Sequence, residues 1–156
     1  MTEEQREKFK PRPGQTDYTD IREAPVINSL VECAGRMLLV RRSQRLSYYP
    51  GYWSGISGFL DDGQSPEEKL KDEIKEELGL SDGDIQSIEL GESFRAEDKR
   101  YSKDWIVHPL RAVILKKELH LNWEADEFVW ILSHDIYNYD LVPGYDHIVR
   151  IFHPEA

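Results

Sequence analysis

A chain of 156 residues with a formal net charge of −10 is long enough for one domain with a buried core. The acidic balance argues against general nucleic-acid binding, and the single cysteine, Cys33, excludes an intrachain disulfide. The N-terminus lacks an apolar signal segment, and no apolar run is long enough to cross a bilayer. We therefore expect a cytoplasmic protein that has neither a nucleic-acid nor a membrane partner.

The first part of the chain, residues 1–24, is predicted to be an N-terminal arm. It is highly charged and is interrupted by two prolines and a glycine. Such an arm is flexible unless it packs on another part of the protein or on a second subunit, and Tyr18 and Ile21 are its candidate packing residues. Residues 25–156 are expected to form one domain.

A β-hairpin is predicted next, formed by strands Pro25–Glu32 and Met37–Arg41 around a turn at residues 33–36. The second strand is mostly apolar, which is typical of a central strand. It ends in Arg41 and Arg42. An acidic protein with an anionic ligand needs a cationic contact, but a strand-end arginine can equally be only solvated.

The loop Ser43–Tyr52 leads into the segment Trp53–Gly58. This segment lacks the glycine spacing of a phosphate-binding loop. Trp53 could stack on a base, or it could belong to the aromatic core. Both interpretations remain open from the sequence.

The stretch Gly58–Leu80 predicts a turn followed by a capped helix. Ser65 is a natural N-cap, Pro66 suits the first helical position, and Glu68 completes a capping box. Gly79 is placed to end the helix in a left-handed conformation. One apolar face repeats every four residues, at Leu70, Ile74 and Leu78.

A cluster of acidic residues lies beside that apolar face, at Asp72, Glu73, Glu76 and Glu77. Like charges one turn apart destabilise an exposed helix by about 0.2–0.5 kcal/mol per pair. Two arrangements would offset this cost. Lysines such as Lys69, four residues before Glu73, could form a salt-bridged and solvated face. Alternatively, the carboxylates could hold a hard divalent cation.

The same stretch resembles the Nudix box, which is Gly, five residues, Glu, seven residues, then Arg-Glu-apolar-any-Glu-Glu-any-Gly-apolar. The chain supplies Gly58, Glu73, Ile74, Glu76, Glu77, Gly79 and Leu80 at matching positions. It departs at Gln64, where the box has its first Glu, and at Asp72, where the box has Arg. The resemblance covers most of residues 25–153. It implies an α/β fold, namely a Nudix-type α/β/α sandwich with a mixed β-sheet.

After the helix, the pattern predicts a strand at Ile85–Phe94, a charged loop at Arg95–Lys103 and a long strand at Asp104–Leu115. Pro109 interrupts the long strand, which indicates a sheet edge or a bulge. A further short strand is predicted at Leu119–Leu121.

The last part of the chain predicts a strand at Glu127–Leu132 with Phe128 and Trp130 on one face. A helical turn at Ser133–Tyr137 and a terminal helix at Tyr145–Phe152 follow. The inward face of that helix is predicted to carry Ile148, Val149 and Phe152.

The Nudix resemblance implies Mg²⁺- or Mn²⁺-dependent attack of water on the diphosphate bond of a nucleoside diphosphate linked to another moiety. Glu76 and Glu77 are expected to be the principal metal ligands, and Glu73 a ligand or the group that orients the water. A small residue before the box glycine, here Ser57, offers its backbone carbonyl to the metal. The acidic loop before the predicted strand Glu127–Leu132 adds a ligand or a general base, from the candidates Glu124 and Glu127.

These implications give three sets of site residues. Catalysis is assigned to Glu73, Glu76 and Glu127. Substrate binding is assigned to Arg42, which matches the family's strand-end arginine better than its neighbour, together with Arg41 and Trp53. The metal ligands are predicted to be Glu73, Glu76, Glu77, Ser57 and Glu124.

Two alternatives accompany the hydrolase hypothesis. Gln64 and Asp72 weaken the box, so the chain could be a catalytically impaired Nudix domain that binds a nucleotide or a protein. The isomerase branch of the fold, which acts on isopentenyl diphosphate, needs a cysteine paired with an acid, and Cys33 at the predicted hairpin turn is the sole candidate. Nudix proteins are often dimers, so a homodimer is also expected.

Overall fold

The computed structural model describes residues 17–60 and 63–156. Its main elements, in chain order, are β1 (Glu23–Cys33), β2 (Arg36–Arg42), β3 (Trp53–Ser54), β4 (Ser57–Phe59), α1 (Pro66–Leu78), β5 (Ile85–Leu90), β6 (Phe94–Asp98), β7 (Lys103–Ile114), β8 (Ala125–Ile131) and α2 (Tyr145–Phe152). Two 3₁₀ helices occur at Asp82–Asp84 and Ser133–Asn138.

Strand β1 lies at the centre of a mixed sheet. One edge of β1 runs parallel to β7, with Ile27 opposite His108. The other edge pairs antiparallel with β4 and then with β2. Strand β2 also pairs with β8 and β3, and β7 pairs with β5 and β6. The start of β4, which carries the box glycine, is therefore fixed against the central strand.

Two apolar clusters lie on opposite faces of this sheet. Along β2, Leu38 and Val40 belong to the first cluster and Met37 and Leu39 to the second, as the alternation of a strand requires. Helix α1 contributes Leu70, Ile74 and Leu78 to the first cluster, and α2 contributes Tyr145, Ile148 and Val149 to the second. One helix therefore covers each face, and the predicted α/β/α sandwich with a mixed sheet is confirmed.

The ends of α1 follow from its capping residues. The Ser65 hydroxyl accepts a hydrogen bond from the Glu68 backbone N–H at 3.2 Å. At the other end, Gly79 adopts φ 71° and donates its N–H to the Lys75 carbonyl at 3.1 Å. The predicted helix and both of its caps are confirmed.

The central part of the sheet differs from the prediction. The predicted strand Ile85–Phe94 is divided between β5 and β6, and β6 occupies half of the predicted loop Arg95–Lys103. Pro109 lies at neither an edge nor a bulge, because β7 continues through it beside β1. Its carbonyl accepts the Gly91 N–H at 2.8 Å. The nitrogen and the carbonyl of a strand residue point to the same side, so the proline nitrogen also faces the gap between β5 and β6. No hydrogen bond to β1 is therefore lost.

Smaller elements agree in part with the sequence. The 3₁₀ helix Ser133–Asn138 and the helix α2 confirm the predicted helical turn and terminal helix. Leu119–Leu121 is not a strand, and its leucines pack on the first apolar cluster from a loop. Phe128 and Trp130 contact that same cluster, which confirms that they share a face.

The predicted N-terminal arm lies only partly within the described residues. Residues 1–16 lie outside them. Strand β1 already begins at Glu23, and the backbone of Arg22 accepts the Asp104 N–H at 2.8 Å. No helix in the described ranges is long and apolar enough to span a membrane.

Gly55→Ala is expected to destabilise the fold strongly. A Cβ atom at Gly55 would lie 1.7 Å from the Ser29 carbonyl oxygen and 2.5 Å from the Tyr145 hydroxyl. Overpacking against backbone should lower the free energy of unfolding by about 3 kcal/mol and the melting temperature by roughly 6–12 °C. In the control variant Gly83→Ala the nearest atom is 3.8 Å away, so its melting temperature should hardly change. Equal thermal denaturation midpoints for both variants would contradict the packing described.

Candidate active site

Three carboxylates from two elements converge beside the sheet. Glu73 and Glu77 lie one turn apart on α1, and Glu124 comes from the loop before β8. One carboxylate oxygen from each of the three lies within 4.8 Å of the others. The loop is fixed to the end of β2, because the Ser43 N–H donates to the Glu124 carbonyl at 2.9 Å. The fold thus brings together negative charges that the sequence separates widely.

This carboxylate cluster, Glu73, Glu77 and Glu124, is electrostatically unfavourable as it stands. Burial raises the pKa of Glu77 well above its ordinary value, and the charges of Glu124 and Glu73 raise it further. Burial also raises the pKa of Glu73, although Lys69 opposes that change. Within the described residues, Oε2 of Glu77 is buried and has no hydrogen-bond partner. Since a buried charge without a partner is costly, the cluster is suited to a cation.

The donor set of the cluster fits a hard divalent cation. Three carboxylates supply only oxygen ligands, which Mg²⁺ and Ca²⁺ prefer. A bound cation would contribute the positive charge that the unpaired Glu77 oxygen lacks. The residues present therefore fit the metal that the resemblance implies.

Two cationic side chains border the carboxylate cluster. Nζ of Lys69 lies 3.3 Å from Oε1 of Glu73, and both side chains are nearly buried. Burial lowers the pKa of the Arg42 guanidinium, while Glu77 and Glu124 oppose that change. The predicted lysine salt bridge is therefore present but is not solvated, and it leaves an oxygen of Glu77 without a partner among the described residues.

Gly58 allows the backbone of β4 to approach the cluster. A Cβ atom at this position would lie 3.0 Å from both Cδ and Oε1 of Glu73. Any larger residue would displace the carboxylate or the strand. The first glycine of the box is therefore required by close approach and not by a special backbone angle.

The carboxylate cluster opens on a cleft of about 1350 Å³. Of the predicted site residues, those that line it are Arg42, Ser57, Glu73, Glu76 and Glu124. Arg42 donates from Nε to the Tyr48 carbonyl at 2.8 Å and from Nη1 to the Ser57 hydroxyl at 3.4 Å. Glu76 is partly buried and lines the cleft beside the cluster. Glu77 is buried and does not itself line the cleft, although its carboxylate lies with those of Glu73 and Glu124.

Three other predicted site residues lie outside both the cleft lining and the carboxylate cluster. Arg41 points to the opposite face of β2 from Arg42, and its Nη2 lies 3.7 Å from Oε2 of Glu127. Glu127 is half exposed there and does not join Glu124. Trp53 packs edge-on against Tyr139 at a centroid distance of 5.1 Å, within the second apolar cluster. The structure thus corrects the expected placement of all three. Alternation along β2 and β8 turns Arg41 and Glu127 away from the carboxylate cluster, and Trp53 is held in the second apolar cluster.

Cys33 is a free thiol at the end of β1, buried in the first apolar cluster. It does not line the cleft. The isomerase alternative therefore lacks the cysteine that it requires at the site.

Part of the cleft is aromatic, which sequence reasoning missed. Five of its aromatic side chains contact one another, and we call them the aromatic wall: Tyr18, Tyr48, Phe59, Tyr101 and Trp105. The Tyr48 ring lies 5.0 Å from the Tyr101 ring and 5.2 Å from the Trp105 ring, edge-on in both cases. The tyrosine-rich loop Ser43–Tyr52 was the one available signal, because the other members come from distant segments.

Asp98 fixes the loops that carry this wall. This nearly buried carboxylate accepts hydrogen bonds from the Tyr49 hydroxyl at 2.7 Å and from Nε1 of Trp105 at 3.0 Å. It also accepts the Tyr101 backbone N–H at 3.2 Å. Burial and the bond to Asp98 raise the pKa of Tyr49. The wall is therefore a preorganised surface.

The two departures from the Nudix box contact each other. Nε2 of Gln64 donates a hydrogen bond to Oδ2 of Asp72 at 2.7 Å on the exposed side of α1. The change from Arg to Asp is thus matched by a change from Glu to the amide donor Gln. The two positions form one polar pair, so the two departures from the box are coupled.

Comparison with known sequences identifies the family of the chain. A family model described as NUDIX domain matches residues 22–152. The nucleoside triphosphatase NudI of Escherichia coli O139:H28 is 26% identical over 127 residues, which cover 78% of this chain and 90% of the relative.

Solved structures show the same fold. The MutT protein of Methanosarcina mazei Go1 matches with a TM-score of 0.72 at 20% identity, over 87% of this chain and 96% of the other. The NUDIX domain of Shewanella oneidensis NrtR, solved with ADP ribose, matches with a TM-score of 0.70 at 15% identity, over 99% and 98% of the two chains. The predicted class, Nudix hydrolase, is confirmed, and the match over residues 22–152 shows that the chain belongs to the NUDIX domain family, whose general function is metal-dependent hydrolysis of diphosphate bonds.

Proposed function

We propose that this Nudix pyrophosphohydrolase cleaves the diphosphate bond of a nucleoside diphosphate linked to another moiety, with Mg²⁺ or Mn²⁺ held by Glu73, Glu77 and Glu124. The observation that carries the proposal is the carboxylate cluster, in which Glu73 and Glu77 are buried and an oxygen of Glu77 has no partner among the described residues. Glu76 and the backbone carbonyl of Ser57 are the further candidate ligands on the same cleft.

Different side chains of the cleft serve phosphate binding and catalysis. When bound, the metal neutralises phosphate oxygens and lowers the pKa of water. Arg42 and Lys69 line the cleft and would contact the phosphates, which an acidic protein otherwise repels. Glu76 lines the cleft outside the carboxylate cluster and is our candidate to accept the proton of the attacking water.

The aromatic wall supports a nucleotide as the substrate class. A planar base can stack on aromatic rings, and Tyr48 and Trp105 lie on the same cleft as the carboxylates. NudI is described as a nucleoside triphosphatase, and the NrtR domain was solved with ADP ribose. ADP ribose is itself a nucleoside diphosphate linked to another moiety. The predicted homodimer and cytoplasmic location stay predictions.

A substrate panel tests this proposal. Nucleotide sugars, dinucleoside polyphosphates and nucleoside triphosphates are incubated with Mg²⁺, with Mn²⁺ or with EDTA, and the products are identified by chromatography. We expect a nucleoside monophosphate from at least one compound in the presence of metal and none in EDTA. The absence of turnover across the panel, by a folded protein with either metal, would contradict the proposal.

One observation favours the alternative of an impaired domain, namely the altered pair Gln64 and Asp72. If instead Gln64 and Asp72 are a coupled pair in an active enzyme, Gln64→Glu alone should lower kcat/KM, because it places a second carboxylate beside Asp72. The double variant Gln64→Glu/Asp72→Arg should recover about twofold to fivefold, since it restores an exposed ion pair. The four proteins of this cycle are compared by kcat/KM and melting temperature.

The alternative makes a different prediction for the same cycle. An impaired domain would show turnover only in the double variant, together with ligand-induced thermal stabilisation of the wild type. A double variant whose kcat/KM shows only the summed effects of Gln64→Glu and Asp72→Arg would contradict the coupling of the pair.

A further inference from the structure

A short N-terminal segment forms part of the cleft lining. Residues 17–21, which we call the strap, precede β1 and place Asp17, Tyr18 and Thr19 on the cleft lining. The Tyr18 ring stacks parallel on Phe59, with centroids 4.8 Å apart and an interplanar angle of 8°. Phe59 directly follows Gly58, the residue against which the Glu73 carboxylate packs. The strap is therefore a neighbour of the reaction centre in space, although the box lies far along the chain.

A buried lysine holds the strap in this position. Lys103, at the start of β7, is 1% exposed. Its ammonium donates hydrogen bonds to the backbone carbonyls of Tyr18, Thr19 and Ile21. These three acceptors match the three hydrogens of an ammonium group. Release of the strap would break all three of these charge-assisted hydrogen bonds, so Lys103 favours the observed position of the strap.

Hydrogen bonds within the strap also fix its conformation. Oδ1 of Asp17 accepts the Thr19 N–H at 3.0 Å and the Thr19 hydroxyl at 2.6 Å. The Ile21 N–H donates to the Tyr18 carbonyl at 3.1 Å. This turn sets the direction of the Tyr18 side chain, and Lys103 sets the place of the turn.

We propose that Tyr18 is a specificity-determining residue that contacts the planar group of the substrate, and that Lys103 is a positioning residue that holds it there through the strap. Tyr18 is only partly buried and lines the cleft beside Phe59, which places it within reach of a substrate there. The carboxylates that hold the metal lie on other elements, α1 and the loop before β8. This assignment rests on the proposed function, because it needs a substrate with a planar group attached to a diphosphate.

Binding of two probes tests the role of Tyr18 without turnover. Calorimetry with Ca²⁺ in place of Mg²⁺ compares ADP ribose, which has a base, with inorganic pyrophosphate, which has none. Tyr18→Leu should weaken ADP ribose binding about 10-fold, because a base–aromatic stack is lost, and should leave pyrophosphate binding unchanged. Tyr18→Phe is the matched control and should bind both probes like the wild type. Equal effects of Tyr18→Leu on the two probes, or no effect on either, would overturn the proposal.

Hydrogen exchange tests Lys103 independently of any ligand. Lys103→Met keeps the length of the side chain and removes its donors, so the strap amides of Thr19 and Ile21 should exchange at least tenfold faster while the β1 amides keep their protection. Lys103→Arg retains a charged donor and should restore part of the protection. Unchanged strap exchange in a folded Lys103→Met protein would overturn the positioning role.

The two readouts separate this inference from the proposed function. If the wild type binds neither probe, the role of Tyr18 fails, the substrate panel still decides the proposed function, and the exchange measurement still decides the role of Lys103. If the wild type binds both probes and Tyr18→Leu binds them equally well, only the inference about Tyr18 fails.

Discussion

Glu77→Gln is expected to raise the melting temperature of the metal-free protein and to lower its metal-dependent hydrolysis at least a hundredfold. In the metal-free protein the Glu77 carboxylate is buried beside Glu73 and Glu124 and has an unpaired oxygen among the described residues. Glutamine has nearly the same shape, removes the repulsion and adds an amide donor. Stability and activity therefore move in opposite directions.

The magnitudes follow from the electrostatics of the carboxylate cluster. Removal of the Glu77 charge from the carboxylate cluster should stabilise by about 1–3 kcal/mol, which raises the melting temperature by roughly 2–12 °C. Loss of one metal ligand should cost several kcal/mol of transition-state stabilisation, and each 1.36 kcal/mol is tenfold in rate. Thermal melting in EDTA and steady-state hydrolysis measure the two effects, with the exposed Glu118→Gln as the control. A lower melting temperature in EDTA, or a wild-type rate, would contradict the account.

Glu124→Gln should reduce hydrolysis about a hundredfold, whereas Glu127→Gln should leave it within about twofold of wild type. The two residues are three positions apart and have the same chemistry, so the pair is a matched comparison. Glu124 joins Glu73 and Glu77, while Glu127 contacts Arg41 on the other side of β2. The measurement is kcat/KM with Mg²⁺ and with Mn²⁺ for each variant. The reverse order of activities would show that the acidic loop is placed differently in the active protein.

The helix α1 was predictable because its signals are local. Ser65, Glu68 and Gly79 determine where it begins and ends, and the four-residue spacing of Leu70, Ile74 and Leu78 determines which face is buried. The same periodicity puts Glu73 and Glu77 side by side. The family and the sandwich architecture followed from the long box motif and were confirmed.

The rest of the cleft depends on contacts between distant segments. The sequence placed both residues at the site, Glu124 as a metal ligand and Glu127 in catalysis, and only the start of β8 and its pairing with β2 separate them. Arg42 already matched the family's strand-end arginine better than Arg41, and strand alternation places only Arg42 on the cleft. The position of Pro109 depends on where β5 ends and β6 begins, which the composition of those strands does not encode.

The aromatic wall was also not predictable from the sequence. Tyr18, Phe59 and Trp105 come from a terminal segment, a short strand and a long strand, and they meet only after the sheet has formed. Lys103 looked like one charged residue in a predicted loop, yet it is nearly inaccessible to solvent. A charged residue in a charged stretch gives no sequence signal of burial, because its partners are backbone carbonyls.

Direct binding of Mn²⁺ tests the central claim, that Glu73, Glu77 and Glu124 form the metal centre of this hydrolase. Free Mn²⁺ is followed by electron paramagnetic resonance as it is titrated into the wild type, Glu77→Gln and Glu127→Gln. The account predicts saturable binding by the wild type, affinity at least about tenfold weaker in Glu77→Gln, and wild-type affinity in Glu127→Gln. Equal Mn²⁺ affinity in the wild type and Glu77→Gln would contradict it.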